Sequence, residues 1–231
     1  LTASTDSESD AVWTHNGQKI AFLSKGQIWE MNADGSGRKQ LTHDKTGIDG
    51  FMFSPDGTKV ILIKQIPYHG IIKKNPSDLP KATGRLITDM NYRHWDEYVE
   101  SIPHPFLAEV TASGITEGKD IMSGEPYESP VKPFGGVEQL AWSPDSKTVA
   151  YTSRKKTGVE YAASTDTDIY LYDTETGSTE NICKPAGYKA PATDLTKTKK
   201  HQAVNSAENL KNNPGYDTNP QYSPDGRYIA W

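Results

Sequence analysis

The chain has 231 residues and 25.5 kDa, and its 25 Lys and Arg against 30 Asp and Glu leave a net charge of −5. Leu, Ile, Val and Phe supply only about 17% of it, below the roughly 20% floor of ordinary globular chains, but the modest charge and the 5 Trp, 12 Tyr and 5 Phe oppose disorder. A mean hydropathy of −0.71 without a long apolar run predicts no membrane span, and a pI near 5.7 with scattered basic residues gives no electrostatic footprint for nucleic acid.

The polar start Leu1-Thr2-Ala3-Ser4 predicts no signal peptide among these residues, so any targeting segment lies outside them. Leu1-Thr2 is spaced like the later Leu41-Thr42 and is expected to be the last strand of a preceding unit. The dominant pattern begins at Trp13-Thr14-His15-Asn16-Gly17-Gln18-Lys19-Ile20-Ala21-Phe22 and returns as Phe53-Ser54-Pro55-Asp56-Gly57-Thr58-Lys59-Val60-Ile61-Leu62. It returns again from Trp142 to Tyr151 and from Tyr222 to Trp231. In each copy an aromatic ends one strand, Ser-Pro-Asp-Gly or its variant makes the turn, and a β-branched run opens the antiparallel return.

Further strands complete each period. Residues 27–32 alternate apolar and polar, Asp34-Gly35-Ser36-Gly37 turns the chain, and residues 38–42 read as a fourth short strand. Residues 105–110 with the turn 111–114, and residues 168–173 with the turn 174–177 and the strand 178–183, repeat the plan. Four antiparallel strands per period of about 40 residues predict an all-β fold, a partial β-propeller of about three four-stranded blades with parts of flanking ones. A two-sheet sandwich also uses many short strands but does not need one cassette four times. Residues 1–231 are thus one partial propeller domain, with insertions at 67–98 and 184–216; the second is read as a solvated rim loop with a short helix near residues 201–210. Four incomplete blades do not close a ring, so the chain is expected to be part of a longer protein.

The sequence offers little catalytic chemistry. A hydrolase nucleophile elbow needs G-x-S-x-G, and the nearest spacing, Gly114-Ile115-Thr116-Glu117-Gly118, has Thr at its centre in a hairpin context. Walker and dinucleotide loops are missing, as are the βαβ units that support them. His15, His43, His69, His94, His104 and His201 form no ligand pair and are read as surface or turn residues. Asp166-Thr167-Asp168 starts like a calcium loop, but Leu171 occupies the place that requires Gly. Cys183 is the only cysteine, which rules out an internal disulfide and a thiolate cluster; it is read as a small apolar strand residue beside Ile182. No metal and no cofactor are predicted.

One segment differs in character. Tyr92-Arg93-His94-Trp95-Asp96-Glu97-Tyr98-Val99-Glu100 packs three aromatics, an Arg, a His and three carboxylates into nine residues at the end of the first insertion. Structurally, Arg93 can pair with Asp96 or Glu97 while Trp95 plugs the blade. Functionally, the two carboxylates can hold a cationic group between aromatic walls.

The cassettes resemble the propeller repeats of TolB-like proteins and of the prolyl-oligopeptidase clan of serine peptidases. Residues Arg93-His94-Trp95-Asp96-Glu97-Tyr98-Val99 resemble a motif in the propellers of dipeptidyl-peptidase V and acylaminoacyl-peptidase-like enzymes. The resemblance implies a non-catalytic propeller that filters peptides toward a C-terminal α/β-hydrolase domain of the same polypeptide. It also implies peptide-substrate contacts by Asp96 and Glu97, as amine ligands, with Arg93 and Trp95 beside them. No Ser, Asp and His triad in a hydrolase context is present, so this chain alone is expected to hydrolyse nothing. The resemblance implies a periplasmic or secreted location, with the cytoplasm left open by the lone cysteine. The alternative is a TolB-like propeller that binds other proteins on a rim.

Overall fold

Each ten-residue cassette folds as the hairpin that its residues dictate. In the computed structural model, which describes residues 2, 5–68, 71–72, 81–83, 86–87, 98–184 and 216–231, the cassette aromatic pairs in every copy with the β-branched residue seven places on. The pairs are Trp13 with Ile20, Phe53 with Val60, Trp142 with Val149, and Tyr222 with Ile229. The four hairpins are therefore equivalent in register.

Blade 1 consists of β1 (Glu8–Thr14), β2 (Lys19–Ser24), β3 (Gln27–Asn32) and β4 (Lys39–Gln40), hydrogen-bonded in that order. Blade 2 begins with β5 (Gly50–Phe53) and β6 (Lys59–Pro67). The short β7 (Ile71–Ile72) and β8 (Leu86–Ile87) pair only with each other, after which the chain returns as β9 (Ser101–Thr111), β10 (Gly114–Ile115) and β11 (Lys119–Asp120). At 11 residues β9 is longer than the expected 105–110, long enough for both β10 and β11 to pair along it, which adds a fifth strand to this blade. Blade 3 is β12 (Leu140–Trp142), β13 (Thr148–Ser153), β14 (Asp168–Asp173) and β15 (Thr179–Asn181), with an unforeseen one-and-a-half-turn helix, α1 (Gly158–Ala163), between β13 and β14. A last hairpin, β16 (Gln221–Tyr222) and β17 (Ile229–Ala230), opens a fourth sheet. Thr2 belongs to no strand, and the expected helix at 201–210 lies outside the described residues.

The core lies between the sheets, because alternation along the second strand of each blade sends successive side chains to opposite flanks. Val60 and Leu62 pack with Ala21, Leu23 and Ile28 of blade 1, whereas Ile61 and Ile63 pack with Leu140, Trp142, Val149 and Tyr151 of blade 3. Ala150 turns the other way and joins Ile169, Cys183 and Tyr222 toward the fourth sheet. Trp142 adds an indole N–H bond of 3.0 Å to the Met52 carbonyl across the second interface. Gly114 marks a close approach, since a Cβ there would sit 2.6 Å from the Leu41 carbonyl oxygen of blade 1.

The turns share one hydrogen-bond pattern. The Ser54 hydroxyl donates to Asp56 (2.6 Å) and accepts the Lys59 amide (3.0 Å), while Asp56 accepts the Thr58 amide (3.0 Å). Ser143 with Asp145 and Ser223 with Asp225 repeat it. The first copy has Thr14 and Asn16 at these places, and the Thr14 hydroxyl is buried without a partner. Ser146 replaces glycine at φ 61° in the third copy. A left-handed non-glycine residue costs roughly 1–2 kcal/mol, which is offset here because Ser146 Oγ accepts the Asp56 amide of the neighbouring turn at 3.1 Å.

Hydrogen bonds, first from the Ser54 hydroxyl and then from the Thr58 amide, hold the Asp56 carboxyl down to about 2 from its ordinary 3.8. A folded value below the unfolded one contributes stability above about pH 4 and loses it as the pH falls toward 2. Asp56→Asn is expected to flatten that part of the acid limb, measured as the urea midpoint from pH 5 to 2; an unchanged slope would show that the carboxylate stabilises nothing.

Candidate functional site

Antiparallel pairing fixes which rim carries the long connections. The Ser-Pro-Asp-Gly turns all lie where the second strand of a blade begins, so the opposite rim collects the second-strand ends: Ser24, Pro67 beside Ser101, and Ser153 beside Asp168. The fourth strand of blade 3 also runs toward this rim, with Asn181 beside Tyr170. Both insertions and α1 therefore leave from one rim, the candidate binding face.

In blade 2 the β6 and β9 ladder extends through Pro67 and Ser101, and the Tyr68 amide then donates to the Glu100 carbonyl at 2.9 Å. Ile66, Tyr68, Val99 and Ile102 form an apolar clamp at the base of the first insertion. Tyr98, 46% exposed, stands at its edge. The sequence-predicted contacts Arg93, Trp95, Asp96 and Glu97 lie outside the described residues, as does His94.

Below the clamp, His104 corrects the reading of every histidine as a surface or turn residue. It is fully buried in β9, where strand alternation turns its ring inward: Nε2 donates to the Tyr127 carbonyl at 2.7 Å and Nδ1 faces the Asp120 carboxylate at 3.0 Å. Blade 3 adds a second buried acidic centre. Glu128 is fully buried, accepts the Tyr161 hydroxyl and the Lys132 amide, and its carbonyl takes the Ser153 hydroxyl at 3.0 Å. The Arg154 guanidinium lies 3.9 Å from the Tyr161 ring centre and donates to the Ser164 carbonyl. Burial, then the nearby Glu128 charge, pushes the Tyr161 phenol well above its ordinary range. Phe134, in the connection between β11 and β12, and Val159 of α1 are exposed.

A third group gathers at the base of the second insertion. Lys184 bridges Asp166 (3.0 Å) and Asp168 (2.8 Å), and Lys156 reaches Asp166 at 3.2 Å. Cys183 Sγ accepts the Ile169 amide at 3.3 Å, and Asp217 closes the group from the far end of the insertion. Burial, opposed by the Ile169 amide, pushes the Cys183 thiol up to about 12, and burial likewise raises the Asp217 carboxyl. Cys183 is small and buried, but it lies two residues past the end of β15 rather than in the strand expected to run to 183, and it faces carboxylates as well as Ala150 and Ile169. Sequence spacing could not reveal this group, whose members are brought together only by the β13, β14 and β15 ladder and the return of the chain at residue 216.

Carboxylates, one guanidinium and aromatic faces suit a peptide or a cation, and the described residues align no nucleophile with a base.

The comparisons agree with that architecture. No protein-family model matches the chain. Dipeptidyl-peptidase 5 of Porphyromonas gingivalis is 47% identical over 98% of the chain, and dipeptidyl-peptidase 5 of Porphyromonas endodontalis is 38% identical over all of it. The chain is a propeller portion homologous to dipeptidyl-peptidase 5. It spans about 30% of the length of these relatives. A solved TolB protein from Agrobacterium tumefaciens superposes with a TM-score of 0.51 at 15% identity, covering 98% of this chain and 53% of that one, which shows the shared propeller fold. Among the described residues no helix is long and apolar enough to cross a membrane.

The buried Glu128 and Tyr161 contact makes a stability prediction. Tyr161→Phe in this dipeptidyl-peptidase 5 homologue leaves a fully buried carboxylate short of one donor, a loss of about 1–3 kcal/mol. Chemical denaturation of wild type and variant measures it, and equal midpoints would remove the pair from the forces that hold α1 to the blade.

Proposed function

We propose that this chain is part of the propeller of a dipeptidyl-peptidase 5-type serine peptidase, and that its insertion-bearing rim faces the catalytic domain of the same polypeptide and filters peptides toward it. The observation that carries the reading is similarity to dipeptidyl-peptidase 5 over the whole chain, together with the departure of both insertions from one rim. Further support comes from the relatives' much greater length, which leaves room for a hydrolase domain. A protein-binding role on the same rim draws only on the fold shared with TolB.

In this reading Asp96 and Glu97 receive the substrate's free ammonium, Arg93 orients the carboxylates, and Trp95 supplies an aromatic wall. A charge-assisted hydrogen bond contributes roughly 1.5–3 kcal/mol, so losing one is expected to lower kcat/KM by about 10–100-fold. In the full-length protein, Asp96→Asn and Glu97→Gln should impair cleavage of peptides with a free N-terminus and spare N-acylated ones, which carry no ammonium. A parallel fall for both substrates, with a lower melting temperature, would make the pair a structural partner of Arg93. A serine-reactive fluorophosphonate should label the parent protein outside residues 1–231; stoichiometric labelling at a serine within them would overturn the non-catalytic role.

A further inference from the structure

We propose that Asp168, Cys183 and Asp217 bind a thiophilic divalent cation of the zinc type, which clips the two ends of the second insertion to blade 3. The inference is independent of the peptidase reading.

One ligand atom from each of the three residues lies within 4.8 Å of the others. In a tetrahedral zinc site, bond lengths of about 2.3 Å to sulfur and 2.0–2.2 Å to oxygen place neighbouring ligand atoms about 3.4–3.6 Å apart, so an inward movement of about 1 Å completes the site. The independent pointer is Asp168. Its side chain is 9% exposed, and Oδ2 is taken by Lys184 at 2.8 Å and Asn181 at 3.0 Å, while Oδ1 is buried with no hydrogen-bond partner among the described residues. Asp166 beside it repeats the pattern, with Oδ2 on Lys156 and Lys184 and a buried, unpartnered Oδ1. Buried acceptors are almost always satisfied in folded proteins, so the leftover oxygen of Asp168, itself one of the three ligand residues, points to a missing positive ligand.

The donor set selects the ion. Sulfur with carboxylate oxygen suits zinc and disfavours the hard cations calcium and magnesium. The Ile169 amide donates to Sγ at 3.3 Å and supports a thiolate ligand from the outer shell, as Lys184 and Asn181 support Asp168. Lys156 and Lys184 balance two of the three carboxylates, and a divalent cation balances the third together with the thiolate, with the thiol proton released to solvent. Water fills the fourth position.

Topology supplies the purpose. Cys183 immediately precedes the insertion and Asp217 immediately follows it, and the neck is already drawn together by the Thr167 hydroxyl on the Asp217 carbonyl at 2.8 Å. A metal bond between Cys183 and Asp217 closes the intervening stretch of chain, and a clip across so long a stretch constrains the unfolded chain strongly.

The test uses the full-length protein, stripped with chelator and titrated with cobalt and zinc. Wild type should show a near-ultraviolet sulfur-to-cobalt charge-transfer band that zinc displaces, and zinc should raise its melting temperature relative to chelator. Cys183→Ser and Asp217→Asn should each remove the band and weaken zinc binding by more than the roughly 10–100-fold that loss of an outer-shell partner costs. Lys184→Met, which removes an outer-shell partner of Asp168 but no ligand, should keep the band and weaken zinc binding by no more than that roughly 10–100-fold. If Lys184 is instead the sole counter-ion of the cluster, wild type shows no band and no zinc-dependent rise in melting temperature, and the proposal falls. It falls equally if zinc affinity is the same in wild type and Cys183→Ser. Should a variant fail to fold, the wild-type band and melting shift decide the matter alone.

Discussion

Strand alternation in the second strand of each blade is the constraint on which the rest of the structure depends. Ile61 and Leu62 are neighbours in sequence yet belong to different cores, one shared with blade 3 and the other with blade 1. A sheet built this way has no core of its own. Its apolar side chains are removed from water only when another sheet covers each flank, so the stability of a blade is largely the stability of its two interfaces. This is why a chain with so few aliphatic residues still packs: the same strand serves two cores, and aromatic residues such as Trp142, Tyr151 and Tyr170 supply the area that Leu and Ile do not.

Stacking also divides the labour between the two rims. Neighbouring cassette turns touch, as the Asp56 amide on Ser146 Oγ shows, and a Cβ at Gly226 would meet the Pro144 ring at 3.6 Å. A change in one turn therefore disturbs the next, and the rim keeps one Ser-Pro-Asp-Gly geometry with the hydroxyl and the carboxylate in fixed roles. Among the described residues the opposite rim shows no such repeated contact. Chain length can be added there between β6 and β9, between β13 and β14, and after β15 without moving a strand, and every long connection is found there.

The parts of the fold legible in the sequence were those fixed by local chemistry. The period, the cassette hairpins and the turns at 34–37 and 174–177 depend on residues within ten places of one another, and each formed as the pattern required. Features set by distant contacts were not legible. His104 reads as one more polar residue between two prolines until β11 brings Asp120 opposite it. Glu128 and Tyr161 are 33 positions apart, and Asp168 meets Asp217 only because the chain returns to blade 3 after a long insertion. Helix α1 escaped notice because six residues carry too little periodicity to read, and its place is fixed by Tyr161 reaching Glu128 rather than by helix propensity. The motif at 93–97 stood out by composition alone, and its neighbours Tyr98 and Val99 locate where it joins the blade.

The two insertions are held at their bases by different forces, and this bears on how the rim can work. The first is clamped by Ile66, Tyr68, Val99 and Ile102, an apolar contact that salt does not screen and that tightens as water is excluded. The second is gathered by Asp166, Asp168, Lys184 and Lys156, whose ammonium groups remain a quarter or so exposed. Partly exposed ion pairs of that kind contribute little individually and are weakened by salt. A segment that must present a fixed pair of carboxylates to a small ammonium group needs the first kind of base, because recognition of a point charge fails when its ligands shift by an ångström. The apolar clamp contains Val99, which follows the Arg93 to Glu97 motif closely in sequence, so of the two bases the one that does not depend on ion pairs is the one nearest that motif along the chain.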